Sequence, residues 1–333
     1  MKICYLGAGV WGYCLAHLLA SKGHHVSIWT TKDNLAHRLN GGQEHPHLPG
    51  HPALPNMHFT TKMGEALQGA DVVIESVTSA GLRSVLKELH THDFPPIPLV
   101  ITSKGIEQNT GLILPDVAVE VLGDERKHLI GMLSGPSFAS EVIQGLPTSV
   151  VAAAYATEDS KFICDLFTTP RFRVYPNSDL RGVAFGGALK NVIAIACGIA
   201  MGLQLGYSAL AALMTRGLHE IRKLAIANGC DAATLNGLSG MGDLCLTCSS
   251  LISRNCRFGY MLAQGKTPQE AREQIGMVVE GAYTCISALQ LAQQMQLPTP
   301  PITEAVHHIL YEKWGVEEAL QRLMQREVKE EHL

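Results

Sequence analysis

Some residues in this chain of 333 amino acids could do chemistry by type and spacing alone. Gly7-Ala8-Gly9-Val10-Trp11-Gly12 fits the pattern G-x-G-x-x-G. The first glycine of such a turn permits a tight bend, the second lets backbone approach a pyrophosphate, and the third lets a helix pack closely on a strand. A helix opening there points its free N–H groups and positive end at the anion. Lys190 is a second candidate, because it stands in an apolar run, 183–214, that meets no further charge until Arg216. An ammonium in such surroundings is costly unless paired or neutralised, and its pKa is open to tuning. Cys245-x-x-Cys248 with Cys256 invites a zinc reading, but a second Cys pair is missing and no histidine lies between 220 and 306. Structural zinc wants four ligands, so no metal is expected. His45, His47 and His51 share a stretch with Pro46, Pro49, Pro52 and Pro55 and read as a solvated loop against a sheet edge.

The elements that must position these groups follow from pattern. Ile3-Cys4-Tyr5-Leu6 predicts a short buried strand leading into the glycine turn, and 11–22 a helix with Leu15, Leu18 and Leu19 on one face. Further strands are predicted at 26–29, 71–74, 99–102, 129–133 and 149–152, with helices before Gly69 and around 80–90. Alternation of this kind implies right-handed crossovers and a mostly parallel sheet. From about residue 180 only helical periodicity remains, predicting helices at 183–204, 208–228, 231–239, 249–264, 268–275, 281–295, 302–312 and 316–328. The expected fold is therefore α/β: a Rossmann-type, mostly parallel sheet domain over 1–180, then an all-α domain over 181–333. The glycine turn directly follows the first predicted strand, the context that gives its pattern meaning.

Composition removes other classes. A net charge of −4, evenly spread, argues against a nucleic-acid surface. Charged residues make up 17% of the chain, where ~25% is typical. That low figure, with the run 183–214, raises a membrane span. Lys190, Asn191, Gln204 and many glycines inside the run, and no aromatic belts at its ends, favour a buried central helix. Gly198, Gly202 and Gly206 are spaced like a helix-packing face. The nine scattered cysteines read as free thiols of a reducing cytosol, and glycines break the N-terminal apolar run too early for an export signal.

Further segments fall into order along essentially the whole chain: Ser103-Lys104-Gly105-Ile106-Glu107, Ser134-Gly135-Pro136-Ser137-Phe138-Ala139, Gly187-Ala188-Leu189-Lys190-Asn191, Gly240-Met241-Gly242-Asp243-Leu244, Ser253-Arg254-Asn255 and Val279-Glu280-Gly281. Together they resemble the bacterial NAD(P)-dependent sn-glycerol-3-phosphate dehydrogenases. The resemblance implies reversible reduction of dihydroxyacetone phosphate to sn-glycerol 3-phosphate, a lipid headgroup precursor. It implies Lys190 as proton acceptor and Lys104 as a contact to both substrate and cofactor. It also implies a substrate shell of Gly135, Ser137, Asp243, Ser253, Arg254 and Asn255. Implied cofactor contacts are Gly7, Gly9, Val10, Trp11, Gly12, Thr31, Ala139, Arg254, Val278 and Glu280. The chain departs from the family pattern at Ser208 and Leu210, which carry no assigned role, and at Thr31, where the family often has His or Arg.

On physical grounds Lys104 and burial would lower the pKa of Lys190, and Asp243 would raise it and orient the ammonium. Arg254 offers a planar fork for phosphate oxygens, with Asn255 adding amide donors. Plainer readings stand beside these: a snorkelling Lys190, Asp243 as a helix cap, Arg254 as a surface charge, Lys104 in a Lys-Gly turn, and Glu280 as an acid at a helix N-terminus. NAD usually finds an Asp or Glu at the end of the second strand. Here Thr30-Thr31-Lys32 precedes Asp33, so NADP is favoured over NAD. The alternatives are a hydroxyacid or nucleotide-sugar dehydrogenase, or a non-catalytic dinucleotide sensor. A small-molecule substrate, no nucleic acid, no membrane span and a homodimer complete the expectation.

Overall fold

The structure is a computed structural model that describes residues 1–92, 94–328 and 330–331. The chain divides into two compact units, one of Met1–Lys104 and Leu114–Leu180, the other of Gly105–Ile113 and Arg181–Leu333. Asp93 of the expected first domain, and Lys329, His332 and Leu333 of the expected second, lie outside the described residues.

The first unit is built on eight strands: β1 Lys2–Leu6, β2 His25–Trp29, β3 Met57–Thr60, β4 Val72–Glu75, β5 Leu99–Ile101, β6 Ile130–Ser134, β7 Thr148–Ala154 and β8 Phe172–Asn177. They form one sheet in the order β3-β2-β1-β4-β5-β6-β7-β8, parallel except where β7 runs against β6. β4, β5 and β6 are buried along their whole length, as strands covered on both faces must be. The chain order reverses direction at the β1/β4 neighbours, the switch point where open sheets of this kind place ligands. Leu6 is in register with Glu75 there, so the turn after β1 and the loop after β4 emerge side by side.

β3 and β8 escape the sequence reading. β3 has four residues and directly follows the prolines, at a sheet edge where neither length nor alternation gives a signal. β8, Phe-Arg-Val-Tyr-Pro-Asn, is mostly unburied and holds its proline at the other edge, where a missing ladder N–H is tolerated. The strand bearing Lys104 at its exit is therefore the fifth, not the fourth as expected from sequence.

The second unit is helical. Its centre is the helix Leu180–Gly202, long and apolar enough to cross a membrane by composition, with 94% of its apolar window buried inside the protein. Gly198 and Gly259 explain the close approach of the helix Arg254–Ala263. A Cβ on Gly198 would sit 1.9 Å from the Cys256 carbonyl oxygen, and one on Gly259 2.0 Å from that of Ile195. Gly206 does not belong to this packing face as expected. It lies beyond the helix at φ +86° and precedes the next one, Tyr207–Ala227. The expected helix 231–239 is instead a short 3-10 turn, Thr234–Asn236, and a π turn, Leu238–Gly242, in a segment punctuated by Gly237, Gly240 and Gly242. The expected helix 249–264 starts only at Arg254, because Ser253 caps it by accepting from the Cys256 N–H at 3.3 Å.

Candidate active site

In the first unit the glycine turn is shaped by its own neighbours. Gly7 has φ +110°, and a Cβ there would lie 2.7 Å from the Ser76 carbonyl oxygen. A Cβ on Gly12 would lie 2.2 Å from the Gly7 carbonyl oxygen. Protein contacts alone thus exclude side chains at both. Gly9 differs: no protein atom lies within 4 Å of its missing Cβ. It precedes the helix Val10–Ser21, whose N-terminus has no side-chain cap and no acid in its first turn. Free N–H groups beside an open glycine fit the pyrophosphate of a dinucleotide. Val10 and Trp11 start that helix and pack against the sheet core.

Thr31 and Lys32 are exposed beyond β2, and Asp33 opens the helix Asp33–Asn40. Thr31, Lys32 and Asp33 are thus all presented near the end of β2, where an adenosine ribose binds in such folds.

The histidine-bearing loop is largely exposed, His47 included, but His45 departs from the solvated reading. His45 is 3% exposed, its ring lies 5.0 Å from that of Tyr13, and its Nε2 is 3.3 Å from the Ala8 carbonyl oxygen. Tyr13 in turn donates its hydroxyl to the His51 carbonyl. The prolines prevent regular structure, so the loop packs side chains over the glycine turn instead.

Beyond β5 and β6 the backbone brings together Lys104, Gly135 and Ser137. Lys104 Nζ and Ser137 Oγ both donate to the Gly135 carbonyl at 3.1 Å. Gly135 takes φ +140°, with Val150 close against it. Ala139 opens the short helix Ala139–Val142, and its carbonyl accepts from the Cys14 thiol. Sequence reasoning missed Glu75. It is wholly buried at the end of β4, where it accepts from the Val77 N–H and, at 2.7 Å, from Ser103 beside Lys104.

In the second unit Lys190 is buried on the helix Leu180–Gly202, and Asp243 opens the helix Asp243–Cys248. Lys190 Nζ donates to Asp243 Oδ1 at 2.5 Å and to Thr247 Oγ1 at 2.9 Å. Thr247, which the sequence reading did not single out, donates its own proton to the Asp243 carbonyl at 2.6 Å. It lies one helical turn after Asp243, a spacing that could have drawn attention to it. Neither snorkelling nor simple capping describes this arrangement: the lysine is held inside, with its charge matched.

Asn191, next to Lys190, accepts from Asn255 at 3.0 Å, and Asn255 accepts from the Gly281 N–H at 2.9 Å. This chain of amides ties the lysine helix to the start of the helix Glu280–Gln294. Arg254 has an exposed side chain at the head of its helix. Crowding by protein pulls its pKa down, the Glu280 carboxylate pulls it up, and Arg257 again lowers it; a guanidinium stays charged throughout. Val278 is exposed, just before Glu280. All nine cysteines are free. Cys256, beside the site, is pushed up to about 12 by burial and then by Cys197. Cys248 is raised by its hydrogen bond with Cys197 and by burial.

A doubly wound sheet with an open glycine cradle after its first strand, and a helical unit holding a buried lysine paired with a carboxylate, define the class of dinucleotide-dependent oxidoreductases. Comparison with known proteins narrows the class. The chain belongs to the NAD-dependent glycerol-3-phosphate dehydrogenase family, whose N-terminal model matches residues 2–160 and whose C-terminal model matches 179–321. A curated relative from Protochlamydia amoebophila, named glycerol-3-phosphate dehydrogenase [NAD(P)+], is 63% identical over 332 residues, covering 100% of this chain and 99% of the relative. One of the same name from Chlamydia caviae is 52% identical over the same span. The crystal structure of glycerol-3-phosphate dehydrogenase from Coxiella burnetii superposes with a TM-score of 0.92 at 36% identity, covering 97% of this chain and 98% of that one.

Proposed function

We propose that the chain reduces dihydroxyacetone phosphate reversibly to sn-glycerol 3-phosphate, the precursor of phospholipid headgroups, with Lys190 as its proton-transferring residue. The observation that carries this reading is the buried contact of Lys190 with Asp243 and Thr247, in a chain whose relatives bear that activity in their names. Bound NAD(P)H supplies the hydride. Lys190 gives its proton to the ketone oxygen as that oxygen gains charge, and in the reverse direction takes the proton from the C2 hydroxyl. Asp243 holds the ammonium in place and balances its charge. Thr247 fixes the lysine from a second side.

Lys104, Gly135 and Ser137 are assigned to the substrate, as are Arg254, Asn255 and Ser253. Arg254 and Lys104 suit the phosphate, the first as a fork and the second as a point charge. Ser253 already spends its hydroxyl on a helix cap, so its contact to substrate falls to its backbone or to its remaining capacity. Gly7, Gly9, Val10, Trp11, Gly12, Thr31, Ala139, Val278 and Glu280 are assigned to the cofactor, with Lys104 and Arg254 shared. NADP is favoured over NAD because Lys32 stands beside Thr31. A homodimer working in the cytoplasm completes the proposal, the oligomeric state being read by light scattering on the purified chain.

The test is NAD(P)H oxidation with dihydroxyacetone phosphate, followed with each cofactor. Folded protein that turns over with neither cofactor defeats the proposal. Turnover with a 2-keto acid in preference to the triose phosphate moves it to the hydroxyacid class.

A further inference from the structure

We propose that His307, His308 and Glu312 form a binding site for a divalent cation of the zinc class. His308 lies in the last turn of the helix Pro301–Tyr311, His307 just before it, and Glu312 is the residue that follows the helix. The two Glu312 carboxylate oxygens reach different rings, one at 2.8 Å from His308 Nδ1 and the other at 3.7 Å from His307 Nδ1. One ligand atom from each residue lies within 4.8 Å of the other two, and no other trio of His, Cys, Asp or Glu among the described residues comes as close. Two imidazoles and a carboxylate make a donor set that zinc and its neighbours accept, with a position left for water.

Both contacts lie within ion-pair distance, but the closer one is not a formed hydrogen bond. His308 Nδ1 is buried and makes no hydrogen bond, although the carboxylate stands 2.8 Å away. The approach is close but misaligned, and a buried nitrogen left so is costly. A lone pair directed at a metal would satisfy it. Both rings are also held. His308 stacks on Trp314 with centroids 4.1 Å apart and planes inclined by 17°, and Arg322 packs over the same indole. His307 rests 5.1 Å from the Tyr311 ring.

The trio faces an open groove of about 530 Å³ that Glu304 and Thr299 also line. Glu304, one turn before His308, is placed on the same helix to serve as a further ligand directly or through water. The site shares no residue with the Lys190 set. A bound ion would clip the end of this helix to the turn that follows, a structural rather than catalytic role.

The experiment uses tag-free, full-length protein stripped with chelator, titrated with Zn²⁺ against a chromophoric competitor. One ion per chain and a melting temperature that rises with Zn²⁺ are expected. In His308→Ala and in Glu312→Gln the affinity should fall ~100-fold or more, since even outer partners of such ligands are worth about 10–100-fold. Glu312→Gln keeps the shape of the turn and guards against a folding defect in the histidine variant. His47→Ala/His51→Ala should bind as the wild type does. Absence of a bound ion in the wild type overturns the proposal, as does affinity unchanged by removing His307 and His308 together.

Discussion

Lys190 Nζ lies 2.5 Å from Asp243 Oδ1, with the two side chains only 8% and 1% exposed. A buried pair of this kind is a weak source of stability but a strong constraint, because removing one partner strands the other charge at a cost of about 3–5 kcal/mol. Lys190→Ala should lower kcat by roughly 10²–10⁴, the worth of a positioned acid or base, and destabilise the fold. The double variant Lys190→Met/Asp243→Asn should recover much of the lost stability and none of the activity. Denaturation midpoints and NAD(P)H oxidation measure the two effects separately. A single variant as active as wild type would exclude Lys190 as the proton donor.

The glycine turn offers a cleaner separation of structure from binding. Gly9 has open space where a Cβ would go, whereas Gly12 faces the Gly7 carbonyl at 2.2 Å. Gly9→Ala should therefore keep the wild-type melting temperature while weakening NAD(P)H binding, by ~10-fold if the added methyl costs the usual 1–3 kcal/mol of overpacking against the pyrophosphate. Gly12→Ala should lose both stability and binding. Cofactor titration by fluorescence, beside thermal melts, distinguishes the two. Equal loss of stability in both variants contradicts this division.

Cofactor choice should rest on the end of β2. Lys32 is exposed there next to Thr31, and a charge-assisted contact to a 2′-phosphate is worth about 1.5–3 kcal/mol. Lys32→Ala should lower kcat/KM for NADPH by about ten-fold or more while leaving that for NADH nearly unchanged. Initial rates with both cofactors measure this. A loss shared equally by NADH and NADPH would remove Lys32 from phosphate recognition.

A pH effect should come from Glu220, far along the chain from Lys190. Its buried carboxylate accepts from the Ile302 and Thr303 N–H groups and from the Thr303 hydroxyl, capping the helix Pro301–Tyr311 from another helix. Burial raises its pKa from 4.5 to about 7, partly offset by those hydrogen bonds and by Arg216. The folded state thus holds this proton over a range where the unfolded chain releases it. Stability from this group is greatest below about pH 4.5 and declines as pH rises toward 7. The span is on the order of 3 kcal/mol at 1.36 kcal/mol per unit. Glu220→Gln lacks that slope, so its stability relative to wild type should improve between pH 5 and pH 7 and then level off. Urea midpoints at several pH values give the difference, and a difference independent of pH would count against it.

Much of this protein is legible from its sequence. Ile3-Cys4-Tyr5-Leu6 followed by spaced glycines announces a strand, a tight turn and a helix, because those patterns are local. The uncharged stretch around Lys190 likewise announces a buried helix. Local pattern carries no register across distance. Thr247 meets Lys190 across 57 residues, Asn255 meets Asn191 across 64, and Glu220 caps a helix 82 residues away. Apart from the one-turn spacing of Thr247 from Asp243, periodicity marks none of these partners, since each contact is set by how helices cross. The glycines at 198 and 259 let two helices approach until backbone meets backbone, and that approach belongs to packing. The short edge strands β3 and β8, and His45 folded over the glycine turn, were likewise decided by neighbours supplied from elsewhere in the chain. Sequence alone determined which residues could hold a phosphate or a proton. Tertiary structure decided which charge faces which, and so whether Lys190 is a buried ammonium with a partner or a lysine reaching for water.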